Sequence, residues 1–377
     1  MENKCFEEIK GVLGFGCMRL PIVDGVVDTV RTSEMFDEFI RAGFNYFDTA
    51  HGYLKGESER AIKTCLADRY PRDSYILTNK LTQNLFNKRE DIRKIFSEQL
   101  ALCGVEYFDF YLMHAQDRTN YEKYKSCFAY EEAITLKREG LIRHLGISFH
   151  DTAEVLDRIL TDYPEIEVVQ LQFNYADYED SAVQAKRCYE VAREHGKPIM
   201  VMEPVKGGVL VKNLPDEARE IFSSLGGTPA SYALRFASSF EGVVAVLSGM
   251  GDIDMVRDNI STMKDFKPLT EEEFSAIDRV REVFRRKTES LIPCTACAYC
   301  TERCPKGINI PELFGCYNAK NMWNDWNSEF YYEDIHTKEG TRASDCIGCG
   351  ICESRCPQHL PIRSLLSTVA NTFEKKK

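Results

Sequence analysis

The sequence predicts an α/β fold: a (β/α)8 TIM barrel over residues 1–287, followed by a small, mainly helical domain over residues 288–377. Three observations carry this. Up to about residue 285, eight short β-rich runs each precede a longer amphipathic stretch, the count of a closed barrel of ~250 residues. Several runs are apolar throughout, such as Val-Val-Ala-Val-Leu at 243–247, as in strands buried on both faces of a parallel sheet. From Ile292 the strand patterns stop and cysteines crowd in. A doubly wound sheet is the alternative for the first part.

The strands are expected at Val12–Gly16, Phe44–Asp48, Tyr75–Lys80, Phe108–His114, His144–Ser148, Val168–Phe173, Pro198–Glu203 and Val243–Ser248. Helical patterns lie between them. Thr32–Ala42 opens at a Thr/Ser cap, and Glu57–Asp68 follows a glycine. Arg89–Cys103, Tyr121–Glu139 and Glu179–His195 each stop at a glycine, and Thr152–Thr161, Pro229–Ser238 and Asp252–Met263 complete the set. A cap residue before a helix and a glycine just past it are its start and stop signals. Thr270–Arg286 reads as one more helix, running into the polar Lys287-Thr-Glu-Ser, where the domain boundary is placed. In the second part, Pro311–Lys320 reads as helical.

Of 377 residues, 44% are hydrophobic and 28% charged, which excludes wholesale disorder. The net charge of −11 argues against nonspecific binding to nucleic acid or anionic membranes. No run approaches the roughly 18 apolar residues of a membrane span. The opening Met1-Glu-Asn-Lys-Cys carries no apolar signal core, so a cytoplasmic location is expected. The chain has 15 cysteines. Seven are scattered (Cys5, Cys17, Cys65, Cys103, Cys127, Cys188, Cys316), and eight form two groups of one pattern. That distribution points to metal chemistry in a reducing compartment rather than to disulfides.

The groups are Cys294-x-x-Cys297-x-x-Cys300-x-x-x-Cys304-Pro305 and Cys346-x-x-Cys349-x-x-Cys352-x-x-x-Cys356-Pro357. Three thiolates at this spacing wrap three corners of a cubane, and the fourth, before Pro, ligates the other cluster in two-cluster ferredoxins. One 4Fe-4S cluster would then use Cys294, Cys297, Cys300 and Cys356, and the other Cys346, Cys349, Cys352 and Cys304. Soft sulfur ligands also admit zinc, although zinc sites normally pair cysteines two by two. The spacer between the motifs is rich in aromatics (Trp323, Trp326, Phe330, Tyr331, Tyr332). It resembles that of helical dicluster ferredoxin modules, and these rings are expected to shield the clusters.

In the barrel, Asp48, Lys80 and His114 end three consecutive strands, and Tyr53 follows in the loop after Asp48. Barrel enzymes place their chemistry at those strand ends. Taken singly, a strand-end Asp often caps a helix, a Tyr packs, and a rim Lys or His is solvated. Together they form a constellation. Two glycine pairs, Gly14-x-Gly16 and Gly249-x-Gly251, lack the third glycine of a dinucleotide fingerprint, with Arg19 and Asp254 in its place.

The segment Gly43-Phe-Asn-Tyr-Phe-Asp-Thr-Ala-His-Gly-Tyr53, with Glu57-Ser-Glu59 after it, resembles the aldo/keto reductase superfamily. Lys80 and His114 complete that family's tetrad in order and context. Gly146-Ile-Ser148 and Val169-Gln170-Leu-Gln-Phe-Asn174 resemble its fifth- and sixth-strand segments. The likeness covers about residues 10–285 and, joined to the cysteine domain, suggests the ferredoxin-fused branch. It implies an oxidoreductase that reduces an aldehyde or ketone with NADP(H) or NAD(H). Tyr53 would be the general acid, Lys80, held by Asp48, would make its proton easier to release, and His114 would orient the carbonyl. It also implies a cofactor site of Gly16, Met18, Asp48, Ser148, Gln170, Ser248, Gly249, Met250 and Asn259.

The chain departs from that pattern at Phe149 (usually Asn), at Met202 (usually the nicotinamide-stacking Tyr), and at Gly249 and Met255 (usually the Lys and Arg that hold the 2′-phosphate). Three functions follow. In the first, the barrel reduces a small carbonyl substrate and the clusters are structural or sensing. In the second, the clusters exchange electrons between a redox partner protein and the barrel. That route needs a flavin or similar group between one-electron and hydride chemistry, and no motif reveals one. In the third, the chain is a non-catalytic redox-sensing subunit.

Overall fold

The computed structural model describes residues 6–212, 214–287, 291–324, 326–338 and 340–374. Eight strands form a closed, all-parallel barrel: β1 (Leu13–Gly16), β2 (Tyr46–Asp48), β3 (Ile76–Leu81), β4 (Phe108–Gln116), β5 (Ile142–Phe149), β6 (Val168–Gln172), β7 (Ile199–Met202) and β8 (Val243–Ser248). Each strand pairs with its sequence neighbours, and β1 closes on β8. The doubly wound alternative is therefore excluded. The expected strands all form, with ends shifted by a residue or two.

The interior holds Tyr46, Ile76, Phe110, Leu112, Val168, Met200 and Leu247, and Phe6 and Ile9 join this cluster from before β1. Phe6 packs edge-on to Phe110 at 4.9 Å. The crowding explains Gly146 on β5, where an added Cβ would lie 2.6 Å from both Leu112 and Val168. Removing a large side chain from such a core typically costs about 3–5 kcal/mol.

Helices cover the outside: α1 (Thr29–Arg41), α2 (Glu57–Ile62), α3 (Arg89–Cys103), α4 (Arg118–Ser126), α5 (Ala129–Arg138), α6 (Ala153–Asp162), α7 (Ala185–Glu194), α8 (Val209–Lys212), α9 (Asp216–Ser224), α10 (Pro229–Ser238), α11 (Ile253–Met263) and α12 (Glu271–Lys287). Several expectations are corrected. The cap of α1 is Asp28, whose carboxylate accepts from Val30 N and Arg31 N, so the helix starts at Thr29 rather than Thr32. The stretch Tyr121–Glu139 is two helices, because Phe128 takes a left-handed φ of 57° between them. The helix expected from Glu179 begins only at Ala185, behind Gln184 at φ 53°.

The C-terminal part carries α13 (Ile310–Trp323), α14 (Asn327–Phe330), α15 (Ile351–Arg355) and α16 (Ile362–Phe373). Gly315 on α13 lets that helix lie against the barrel loop 181–182, since a Cβ there would meet Ser181 Oγ at 2.6 Å. Trp323 packs on Phe284 of α12 at 4.3 Å, and Phe330 on His150 just past β5 at 5.7 Å. The spacer aromatics therefore face the barrel or, like Tyr332 on Phe373, the domain's last helix, which corrects their expected role around the clusters. The boundary expected at 287/288 falls in 288–290, outside the described residues. Among the described residues no helix is long and apolar enough to cross a membrane.

Candidate active site and cluster sites

Strand register assembles the first site. β2 lies beside β3 with Asp48 opposite Thr78, so Asp48 and Lys80 share the C-terminal mouth of the barrel. Lys80 Nζ donates to Asp48 Oδ1 at 2.5 Å and to Thr49 O at 2.9 Å. Both side chains are buried. A buried ion pair stands only when further hydrogen bonds offset its lost hydration, and Asp48 Oδ2 accepts a second one from Gln170 Nε2 at 3.0 Å.

Lys80 also donates to Tyr53 Oη at 3.2 Å. Tyr53 reaches this point because Leu54, Lys55 and Gly56 all take left-handed φ (52°, 60° and 91°), a tight turn after β2. The His114 ring meets Tyr53 edge-on at 6.2 Å, and Thr82 Oγ1 lies 2.7 Å from His114 Nδ1. The four sequence-predicted residues thus stand together.

Burial opposes the charge on Lys80, but Asp48 and then Tyr53 outweigh it and its pKa lies above the usual value. Burial raises the Tyr53 phenol, and Lys80 pulls it back only in part. This corrects the expected direction: the phenol is a weaker acid than free tyrosine and stays protonated at neutral pH. Burial, then Lys80, holds His114 well below the usual imidazole value, so its ring is neutral. His150, whose charge acts on His114, is brought down to about 4 by burial.

The residues expected at the cofactor are differently engaged. Ser148 Oγ accepts from Ala115 N at 2.8 Å, and Asn259 Nδ2 donates to Ser248 Oγ at 2.7 Å. Gly16 abuts Ser248, where a Cβ would meet its carbonyl at 3.3 Å. Met18 is exposed, whereas Met250 is buried. Arg257 faces Glu38 of α1 at 3.7 Å.

Sequence reasoning missed the supporting groups. Glu59, inside a quoted motif, accepts from His51 Nδ1 or its tautomer at 2.8 Å and from Asn79 Nδ2 at 2.8 Å. Gln99 donates to Lys80 O at 3.0 Å. Lys206 and Asp177 form a buried pair at 2.6 Å between the loops after β7 and β6. No spacing announces these contacts, since each joins residues distant in sequence.

The second site is a pair of thiol-ringed cavities. One is lined by Cys294, Cys297, Cys300 and Cys356, with Ile310, Phe314 and Leu360 around them. The other is lined by Cys304, Cys346, Cys349 and Cys352, with Ile308, Ile347 and Leu366. This crossed grouping matches the ligand sets expected from the motifs. Left-handed φ at Ala296 and Ala298 (53° and 61°) folds the first motif around its cavity. Asn318 clamps the segment leading into it, donating from Nδ2 to Ile292 O and accepting from Ile292 N, both at 2.8 Å. Among the described residues no three His, Cys, Asp or Glu close in tightly enough for a single metal ion. The donor sets, soft and spread around apolar-walled cavities, fit cubanes.

Residues 12–282 match the model of the aldo/keto reductase family, and residues 293–360 that of the 4Fe-4S dicluster domain. An uncharacterised oxidoreductase of Bacillus subtilis is 24% identical over 302 residues, 70% of this chain and 90% of the relative. The NADH-specific methylglyoxal reductase of Escherichia coli is 25% identical over 209 residues, 50% of this chain and 61% of that protein. Among solved structures, the holo form of an aldo-keto reductase from Bacillus halodurans superposes with a TM-score of 0.59 at 24% identity, covering 71% of this chain and 91% of that one. An aldo-keto reductase from Klebsiella pneumoniae in complex with NADPH gives 0.59 at 22% identity, over 72% and 95%. Likeness at this identity shows the fold.

Proposed function

Because the chain belongs to the aldo/keto reductase family, an oxidoreductase family, we propose that its barrel reduces a small aldehyde or ketone with NAD(P)H, using Tyr53 as the proton donor. The observation that carries this reading is the position of Lys80 Nζ, within hydrogen-bond reach of both Asp48 and Tyr53 Oη at the barrel mouth. The nicotinamide would supply hydride. Gly16, Ser148, Gln170 and Ser248, on the strand ends around the tetrad, and Asn259 on α11 would hold it.

Tyr53 gives its phenolic proton to the carbonyl oxygen. Desolvation keeps that proton in place until it is needed, and Lys80 stabilises the phenolate once it has left. Asp48 fixes Lys80 and keeps it charged. His114 is neutral; its Nδ1 lies 2.7 Å from the Thr82 hydroxyl, and in the tautomer that accepts a hydrogen bond from that hydroxyl its Nε2 would carry the proton and donate to the carbonyl oxygen. Catalysis then needs no titration of His114.

The C-terminal domain would hold two 4Fe-4S clusters on Cys294, Cys297, Cys300, Cys356 and Cys346, Cys349, Cys352, Cys304, which supply one-electron chemistry when bound. We assign them a structural or sensing role.

The test is Tyr53→Phe in the cluster-loaded protein. Carbonyl reduction should fall by about 10²–10⁴-fold while NADPH affinity holds. Near-wild-type turnover removes Tyr53 from the mechanism.

A further inference from the structure

Gln116, the last residue of β4, ties that strand to the end of β5. Its carbonyl accepts from His150 N at 2.9 Å, and its Nε2 donates to His114 O at 3.1 Å. Tyr130 Oη donates to its Oε1 at 2.7 Å and fixes the amide. His150 is thereby held beside His114 at the C-terminal mouth, close enough for its charge to act on that ring. From the second domain, Phe330 of α14 meets the His150 ring edge-on at 5.7 Å. The tetrad leaves this well-held ring without a task.

The two imidazoles differ in their partners. His114 Nδ1 has the Thr82 hydroxyl at 2.7 Å. The His150 ring has no hydrogen-bond partner among the described residues, although its Nδ1 is buried. A buried polar atom left unsatisfied costs stability, and folded proteins keep few of them. The residue as a whole is half-buried, so part of it stays accessible. No charged side chain shifts its pKa. Burial alone brings it down to about 4, so at neutral pH the ring is uncharged. A neutral imidazole offers one N–H and one lone pair. It suits a neutral oxygen, whereas an ionised substituent would meet no counter-charge from it.

We propose that His150 is a specificity-determining residue: its ring hydrogen-bonds a hydroxyl or second carbonyl oxygen close to the carbonyl that Tyr53 and His114 engage. The barrel then selects small carbonyl compounds that carry such an oxygen over plain ones. This rests on the reading of the barrel as a carbonyl reductase. Phe330 packs against the ring, so the cluster domain takes part in the choice of substrate.

The experiment is steady-state reduction of propanal and of glyceraldehyde with NADPH by the cluster-loaded wild type, His150→Phe and His150→Gln. The two aldehydes share a carbon chain and differ in their hydroxyls. The wild type should prefer glyceraldehyde in kcat/KM. His150→Phe keeps a ring against Phe330 and loses both nitrogens. It should lower the glyceraldehyde-to-propanal ratio of kcat/KM about tenfold, mainly through KM for glyceraldehyde. His150→Gln, which keeps a polar group, should fall between. A merely structural histidine would lower both substrates alike, and an unchanged ratio in both variants overturns the proposal. So does a wild type that does not prefer glyceraldehyde. If His150→Phe does not fold, His150→Gln decides, and the wild-type ratio there overturns the proposal. A wild type that reduces neither aldehyde overturns the carbonyl-reduction reading and the role of His150 with it.

Discussion

The barrel mouth and the cysteine domain hold their reactive groups in opposite ways. In the mouth, protein groups hold one another. Lys80 is fixed by Asp48 and Thr49, Asp48 by Gln170, and His114 meets Thr82. These groups sit on or beside strands whose register is set by a continuous hydrophobic core. In the cysteine domain, the thiols line two cavities mostly from irregular loops, with left-handed φ at Ala296 and Ala298, while Cys352 stands on α15. One site is held by hydrogen bonds between its own side chains, and in the other the thiols would be tied together by the clusters they hold. Perturbing a single residue should therefore act locally and electrostatically in the barrel, and act on metal content and local folding in the second domain.

The sharpest way to break this contrast is Lys80→Met. It leaves Asp48 charged and buried without its partner, which costs about 3–5 kcal/mol for such pairs. Thermal unfolding of the barrel should shift down and carbonyl reduction should be lost. A variant as stable as the wild type would mean the pair is not the buried support described. Next is Cys297→Ser, which should lower iron below the wild-type value of about eight per chain expected for two 4Fe-4S clusters. The barrel's melting transition should hardly move. Iron content equal to wild type would refute the ligand set.

The pH dependence is subtler. A depressed His114 pKa keeps the ring neutral down through the range where a free imidazole titrates, near 6.5, and a raised Tyr53 pKa keeps the acid protonated to about 10 or beyond. Reduction rates should run flat between about pH 6 and 8. A break near 6.5 in kcat/KM would show a titrating His114. The smallest effect is expected for Phe330→Ala, which removes the cluster domain's contact with His150. KM for the carbonyl should change several-fold with kcat nearly kept. No change in either would show that the Phe330–His150 contact does not reach the carbonyl site.

How much of this was legible in the sequence follows from the range of each interaction. The barrel strands were visible because buried parallel strands are apolar over short spans, and Arg89–Cys103 and Pro229–Ser238 were bounded correctly by local glycine and cap signals. The break at Phe128 was not, since no glycine or proline marks the left-handed φ of 57° at this exposed residue. The grouping of eight cysteines around two cavities was legible because three of each four lie in one short motif. That Asp48, Tyr53, Lys80 and His114 meet at the barrel mouth was legible too, but the direction of the Tyr53 shift was not. It depends on how burial and Lys80 balance in space. The spacer aromatics were misassigned because their partners, Phe284 and His150, come from the other domain.

On the proposed reading, the barrel would carry out carbonyl reduction with its own acid and without cluster electrons. The most direct measurement is an anaerobic absorbance record of the cluster-loaded protein, with iron and flavin assayed, first on adding NADPH and then on adding an aldehyde. Cluster absorbance should stay unchanged on adding NADPH, flavin should be absent, and nucleotide should be consumed only when the aldehyde is present. Clusters bleached by NADPH alone, with flavin bound, would contradict it.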